Sequence, residues 1–151
     1  MAGTTPSIGY LYVDDNRLSV GWPGHGYPVT MDPDWTAVSD AIGMLDGDHV
    51  TLVILAEGAP LAGTDLPFSG KALAIGGDSI TGFYTCKFFD DSEDDLQVFR
   101  RDVDSDEYVD IVFGQRDGFH VGCCLARDEV VAVAKLFFEE LRLSGDFDWV
   151  S

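Results

Sequence analysis

Apolar and polar positions repeat with two different periods along this chain, and the switches between them lay out its elements. Ile8–Val13 and Leu18–Trp22 carry the short apolar runs of strands, with Asp14-Asp15-Asn16 between them as a hairpin-like turn. A Gly/Pro-rich loop follows through Gly21, Pro23, Gly24, Gly26 and Pro28. The period then lengthens. Asp32 can cap a helix, Pro33 suits its first position and Asp34 complements the positive end of its dipole. Trp35, Val38, Ile42 and Leu45 fall on one helical face, and Gly47 is a suitable stop.

Beyond that helix the strand period returns. Val50–Ala56 is dominated by apolar residues on both parities, as in a strand covered on two sides. Glu57–Lys71 predicts a loop. Ala72–Ile75, Ile80–Phe89, Leu96–Arg101, Tyr108–Phe113 and Phe119–Leu125 predict further strands. Gly76-Gly77-Asp78 and Arg116-Asp117-Gly118 are the expected turns, the latter a strong hairpin cue. A second helix spans Asp128 to Leu143. Val130, Ala134, Phe137 and Leu141 form its stripe, Val131 and Phe138 widen it, and Gly145 ends it. Trp149 in the tail is expected to pack against this helix rather than to bind anything.

This order lacks the strand–helix alternation of a doubly wound parallel sheet. The expected fold is α+β and a single domain over residues 1–151. It has one mostly antiparallel β-sheet, with a helix from the N-terminal half and the C-terminal amphipathic helix packed on it. One sheet face is covered by the helices and the other is partly open. With 46% hydrophobic residues in 151, a sizeable core is available.

Charge changes the picture most. The chain has 27 acidic and 9 basic residues, a formal net charge of −18. Such a surface repels nucleic acid and anionic membranes, so neither is expected as a direct partner. The acids are also concentrated. Ten of the 21 residues from Asp90 to Asp110 are Asp or Glu, with only Arg100 and Arg101 to answer them. Their mutual repulsion costs stability, which a cationic protein partner would relieve. A generic acidic adaptor, or a surface tolerated for solubility, is the alternative. Residues Met1–Ser7 show no basic and apolar signal segment, and Val50–Ala56 is far too short to span a bilayer. An odd count of three cysteines suits a reducing cytoplasm.

The motifs of small-molecule chemistry are incomplete. Asp102-Val103-Asp104-Ser105-Asp106 opens like a calcium-binding loop, but Glu107 and Phe113 stand where the turn glycine and the bidentate glutamate belong. Cys86, Cys123, Cys124, His25, His49 and His120 lack zinc-ligand spacing, and neighbouring Cys123 and Cys124 should face opposite sides of a strand. No nucleophile elbow or phosphate loop is present. No metal, cofactor or catalytic residue is therefore expected. A site assembled in space from distant acids and His120 or His25 is the enzymatic alternative.

The preferred contact residues are Asp90, Asp91, Glu93, Asp94, Asp95, Asp104, Asp106 and Glu107. Phe88, Phe89 and Tyr108 are the apolar candidates. Adjacent Phe88 and Phe89 cannot both point inward in a regular strand, so one is expected beside the acids as an anchor.

The C-terminal third carries a resemblance. Lys135-Leu136-Phe137-Phe138 on an amphipathic helix, then Gly145 and Trp149, follow the strand pair at 108–113 and 119–125. This arrangement resembles the Imm-one type immunity proteins of bacterial polymorphic toxin and contact-dependent inhibition systems. The resemblance implies a small acidic cytoplasmic α+β protein that binds one cognate toxin domain as a 1:1 complex. It implies occlusion of a cationic active site, most often one acting on nucleic acid, with no chemistry by the inhibitor itself.

Overall fold

The computed structural model describes residues 8–15, 29–58, 69–90 and 93–151. In chain order its elements are β1 (Tyr10–Asp15), β2 (Val29–Met31), α1 (Trp35–Gly43), β3 (Val50–Gly58), β4 (Ser69–Gly77), β5 (Tyr84–Asp90) and β6 (Glu93–Phe99). There follow β7 (Tyr108–Phe113), β8 (Gln115–His120), a 3-10 turn (Val121–Cys123), α2 (Arg127–Glu140) and β9 (Asp148–Val150). The fold is α+β. Seven strands form one antiparallel sheet in the order β2-β1-β3-β4-β5-β6-β9, and β7 and β8 form a separate two-stranded sheet.

Strand alternation divides the core in two. Leu11, Val53, Leu55, Leu73, Ile75, Tyr84, Cys86 and Val98 face one way. Against them pack Val38, Ala41 and Ile42 of α1 and Val130, Val133, Ala134 and Phe137 of α2. Tyr12, Leu52, Ile54, Ala56, Ala72 and Ala74 face the other way. The long apolar run of β3 is thus explained by burial on both sides.

The second face is less open than the sequence suggests. β7 lies across it against β3, β4 and β5, and Phe113 joins the second cluster. Ile111, Phe119, Cys123 and Cys124 form a third small core under this hairpin. Its reversal is not at Asp117-Gly118, which pair within β8. Phe113 pairs directly with Gln115, and Gly114 turns the chain at φ +75° with its N–H bonded to the Thr51 carbonyl. A positive φ favours glycine over the alternatives in this segment. Gly76 supplies the seat: a Cβ there would stand 2.6 Å from the Phe113 ring and 2.9 Å from both Phe113 Cα and the Val112 carbonyl oxygen.

Several boundaries differ from expectation, each for a local reason. Asp34, not Asp32, caps α1: its backbone is extended and its Oδ1 accepts from Ala37 N at 2.8 Å. Asp32 adopts φ +49°, with its N–H donated to the Gly9 carbonyl, so Pro33 precedes the helix. α1 ends at Gly43, and Gly47 belongs to the next turn, where Asp46 Oδ1 accepts from the N–H groups of Asp48, His49 and Val50. α2 stops at Leu141, left-handed at φ +52°, before Gly145 is reached. Glu57, Gly58 and Ser69–Lys71 extend β3 and β4 into the predicted loop. Gly76 and Gly77 remain within β4. The tail adds β9, where Trp149 pairs with Val98, packs against the helix-side core and donates its indole N–H to the Ser144 carbonyl at 3.1 Å. The predicted strand at Leu18–Trp22 and the Gly/Pro-rich loop lie outside the described residues.

Gly76→Ala tests the seat of the hairpin. The added methyl meets backbone as well as ring, so we expect a loss of about 2 kcal/mol in urea unfolding. A neutral substitution would show that the hairpin does not depend on this close approach.

Candidate functional site

The acidic block that is continuous in sequence is divided in space. Asp90 and Glu93 pair at the tip of the β5–β6 hairpin, whereas residues 101–107 leave the opposite end of β6. Seven residues of strand at about 3.3 Å each put roughly 20 Å between the two groups. The candidate contact residues therefore form two patches. The hairpin patch holds Asp90, Glu93, Asp94 and Asp95, while Asp91 lies outside the described residues. Asp95 is exposed, with Lys87 Nζ at 4.0 Å.

The loop patch is the more distinctive. Asp102, Asp104, Asp106 and Glu107 are all exposed, and Tyr108 beside them is 68% exposed. Among the described residues no cation lies within ion-pair distance of these four carboxylates. Arg100 and Arg101, their neighbours in sequence, point elsewhere. Arg100 Nη2 pairs with Glu129 of α2, and its Nε donates to the Cys124 carbonyl at 3.0 Å. Arg101 Nε pairs with Asp148 at 3.2 Å, and its Nη2 donates to the Gly145 carbonyl. The two arginines fasten the C-terminal elements to the end of β6 and leave the acids unanswered.

What orders the loop is the segment that follows β8. Arg100 N–H donates to the Gly122 carbonyl at 2.8 Å, and Val121 N–H donates to the Glu107 carbonyl at 2.9 Å, closing both ends. In the middle, His120 Nε2 lies 2.6 Å from the Ser105 carbonyl oxygen. His120 Nδ1 accepts from Gly122 N–H at 2.9 Å, which leaves Nε2 as the protonated nitrogen. Ser105 Oγ accepts from Glu107 N–H at 3.1 Å. The imidazole is held between Phe99 and Tyr108, with centroids 5.0 and 5.4 Å away. His120 thus spends both ring nitrogens on main-chain groups and is engaged as a clasp, not poised as a base. Its role was invisible in sequence because Ser105 lies 15 residues away. His25 lies outside the described residues.

Phe88 and Phe89 do take opposite sides of β5. Phe88 packs edge-on against Phe137 under α2, and Phe89 packs against the second cluster. Both are half-buried, and the exposed aromatic beside the acids is Tyr108 instead. Cys123 and Cys124 are not in a strand. They stand at the end of the 3-10 turn and share the third core. Burial, with Cys124 nearby, pushes the Cys123 thiol up to about 11, against the attraction of Lys87. Burial also raises Cys86 and Cys124. All three are therefore protonated thiols at neutral pH and weak nucleophiles or ligands. Among the described residues no three His, Cys, Asp or Glu side chains converge as a metal site. Nor is any helix there long and apolar enough to cross a membrane.

No family model, curated protein or solved structure matches the chain. The loop patch therefore stands on its geometry.

The anchor beneath it has a pH signature. Burial raises the Glu129 carboxyl, but hydrogen bonds from Arg100 and from the Ala126 N–H outweigh that and hold it below the ordinary range. A depressed carboxylate adds stability above its unfolded pKa and loses it as pH falls through the folded value. Glu129→Gln should cost about 1 kcal/mol at pH 7, discounted for the partial exposure of both partners. The difference from the unsubstituted protein should close in urea titrations once pH falls below the usual carboxylate range. A difference independent of pH would contradict this assignment.

Proposed function

We propose that this protein is a stoichiometric inhibitor of a basic protein: an immunity protein that neutralises a cognate bacterial toxin domain by covering its cationic active site. The observation that carries the reading is the ordered loop 102–108, which displays four carboxylates without cationic neighbours beside an exposed tyrosine. Carboxylates spaced along an extended backbone imitate the charge of a nucleic-acid strand. A toxin acting on nucleic acid presents the complementary cationic track. Electrostatic attraction would speed encounter, and apolar contact would set the lifetime of the complex. Tyr108 has the amphipathic ring favoured at such contacts. The C-terminal resemblance to Imm-one type immunity proteins points the same way. The inhibitor would act in the cytoplasm as one copy per toxin, with no cofactor and no chemistry of its own.

Coexpression with the toxin domain encoded in the neighbouring reading frame tests this reading. The intact chain should protect the host, and the two purified proteins should bind one to one. Asp104→Asn with Asp106→Asn should slow association about tenfold or more at low salt and flatten its salt dependence. Asp94→Asn with Asp95→Asn removes the same formal charge from the hairpin patch and should cost less. Equal effects of the two pairs would indicate general charge attraction, and full binding by both would remove the loop from the interface.

A further inference from the structure

Beside the acidic loop lies an apolar groove of about 340 Å³, walled by Phe83, Val103, Val121, Leu125 and Ala126. Its floor is rigid. Tyr84 and Leu125 exchange two backbone hydrogen bonds, of 3.0 and 2.7 Å, and the Arg100 side chain is bound to the Cys124 carbonyl. One rim is the turn 78–83, which is equally fixed. Thr81 N–H donates to Asp78 Oδ1 at 2.7 Å, Gly82 N–H to the Asp78 carbonyl at 3.1 Å, and Ser79 N–H to the Leu45 carbonyl at 3.2 Å. Yet this ordered turn holds Ile80 84% exposed and Phe83 41% exposed. Apolar side chains displayed on a preorganised turn next to an apolar groove are the anatomy of a docking centre.

The opposite rim decides the occupant. Val103 forms the wall, and its neighbours Asp102 and Asp104 are exposed carboxylates with no cation beside them among the described residues. Arg100 also reaches the groove, but its guanidinium already pairs with Glu129. We propose that the groove receives an apolar side chain of a protein partner flanked on its own chain by Lys or Arg. The apolar residue fills the space between Phe83 and Leu125 while the basic neighbours meet Asp102 and Asp104. The idea rests on the inhibitor reading above and gives it a centre, with the acidic loop as the rim.

The test uses blocked hexapeptides as probes, followed by the backbone amide spectrum of the full-length nitrogen-15-labelled protein. Lys-Arg-Leu-Leu-Arg-Lys should bind saturably and shift the amides of Phe83, Val103 and Leu125. Lys-Arg-Ser-Ser-Arg-Lys should bind at least about tenfold more weakly, as should the first peptide to Phe83→Ala. Ile80→Ser, whose side chain lies outside the core, gives a second variant that leaves the fold intact and should also weaken binding. Equal affinity for the two peptides, shifts confined to residues 104–107, or no saturable shift would overturn the groove. Toxin protection separates the two claims. A chain that docks the leucine peptide but fails to protect keeps the groove and loses the inhibitor reading. A Phe83→Ala variant with undiminished toxin affinity does the reverse.

Discussion

The hydrogen bond from His120 to the Ser105 carbonyl is the contact on which the functional surface depends. Two carboxylates roughly 7 Å apart repel by about 0.6 kcal/mol in water, so four of them crowded on one loop oppose any fixed conformation. Counter-ions would relieve this, but the two adjacent arginines are committed to Glu129 and Asp148. The loop is held instead by neutral groups: a backbone bond at each end, an imidazole in the middle and a serine hydroxyl within. Order is thereby obtained without neutralisation, and the charge stays available to a partner.

That clasp is the last link in a chain of constraints. His120 ends β8, so its place is set by where the β7–β8 hairpin lies. The hairpin lies where Gly76 lets Phe113 approach β4 and where Gly114 binds the start of β3. The sheet beneath can be buried on both faces because its central strands are apolar at both parities. The helices seal the other side, and α2 also supplies Glu129, which pins Arg100 at the end of the acidic segment. Fold and site are joined at Arg100. Its backbone closes the loop, and its side chain holds the helix.

Much of this architecture was legible in the sequence because its signals are local. The stripe of Val130, Ala134, Phe137 and Leu141 marked the buried face of α2, and the parity of Phe88 and Phe89 correctly placed them on opposite sides of β5. The element order held for the described residues apart from β9. Failures came where two local signals competed. Asp32 and Asp34 both suit a cap, and tertiary pairing of Asp32 with Gly9 decided between them. Gly114 and Asp117-Gly118 both suit a turn, and the contact of Gly114 with Thr51 decided that one. The site was half legible. The acidic residues and Tyr108 were visible as types. Their division by β6, the diversion of Arg100 and Arg101 and the service of His120 all depend on partners distant in sequence.

A binding surface of this kind trades stability for recognition, since the same carboxylates that repel one another when free are the ones a cationic cleft would reward. The account stands on the loop being ordered before any partner arrives. Amide hydrogen exchange of the free protein at low salt, where repulsion is strongest, tests this directly. The amides of Val121 and Gly122 should be protected in the unsubstituted chain and should exchange about tenfold faster or more in His120→Ala, with the gap narrowing as salt is added. Exchange at the rate of an unfolded chain in both proteins, or equal protection in both, would contradict the account.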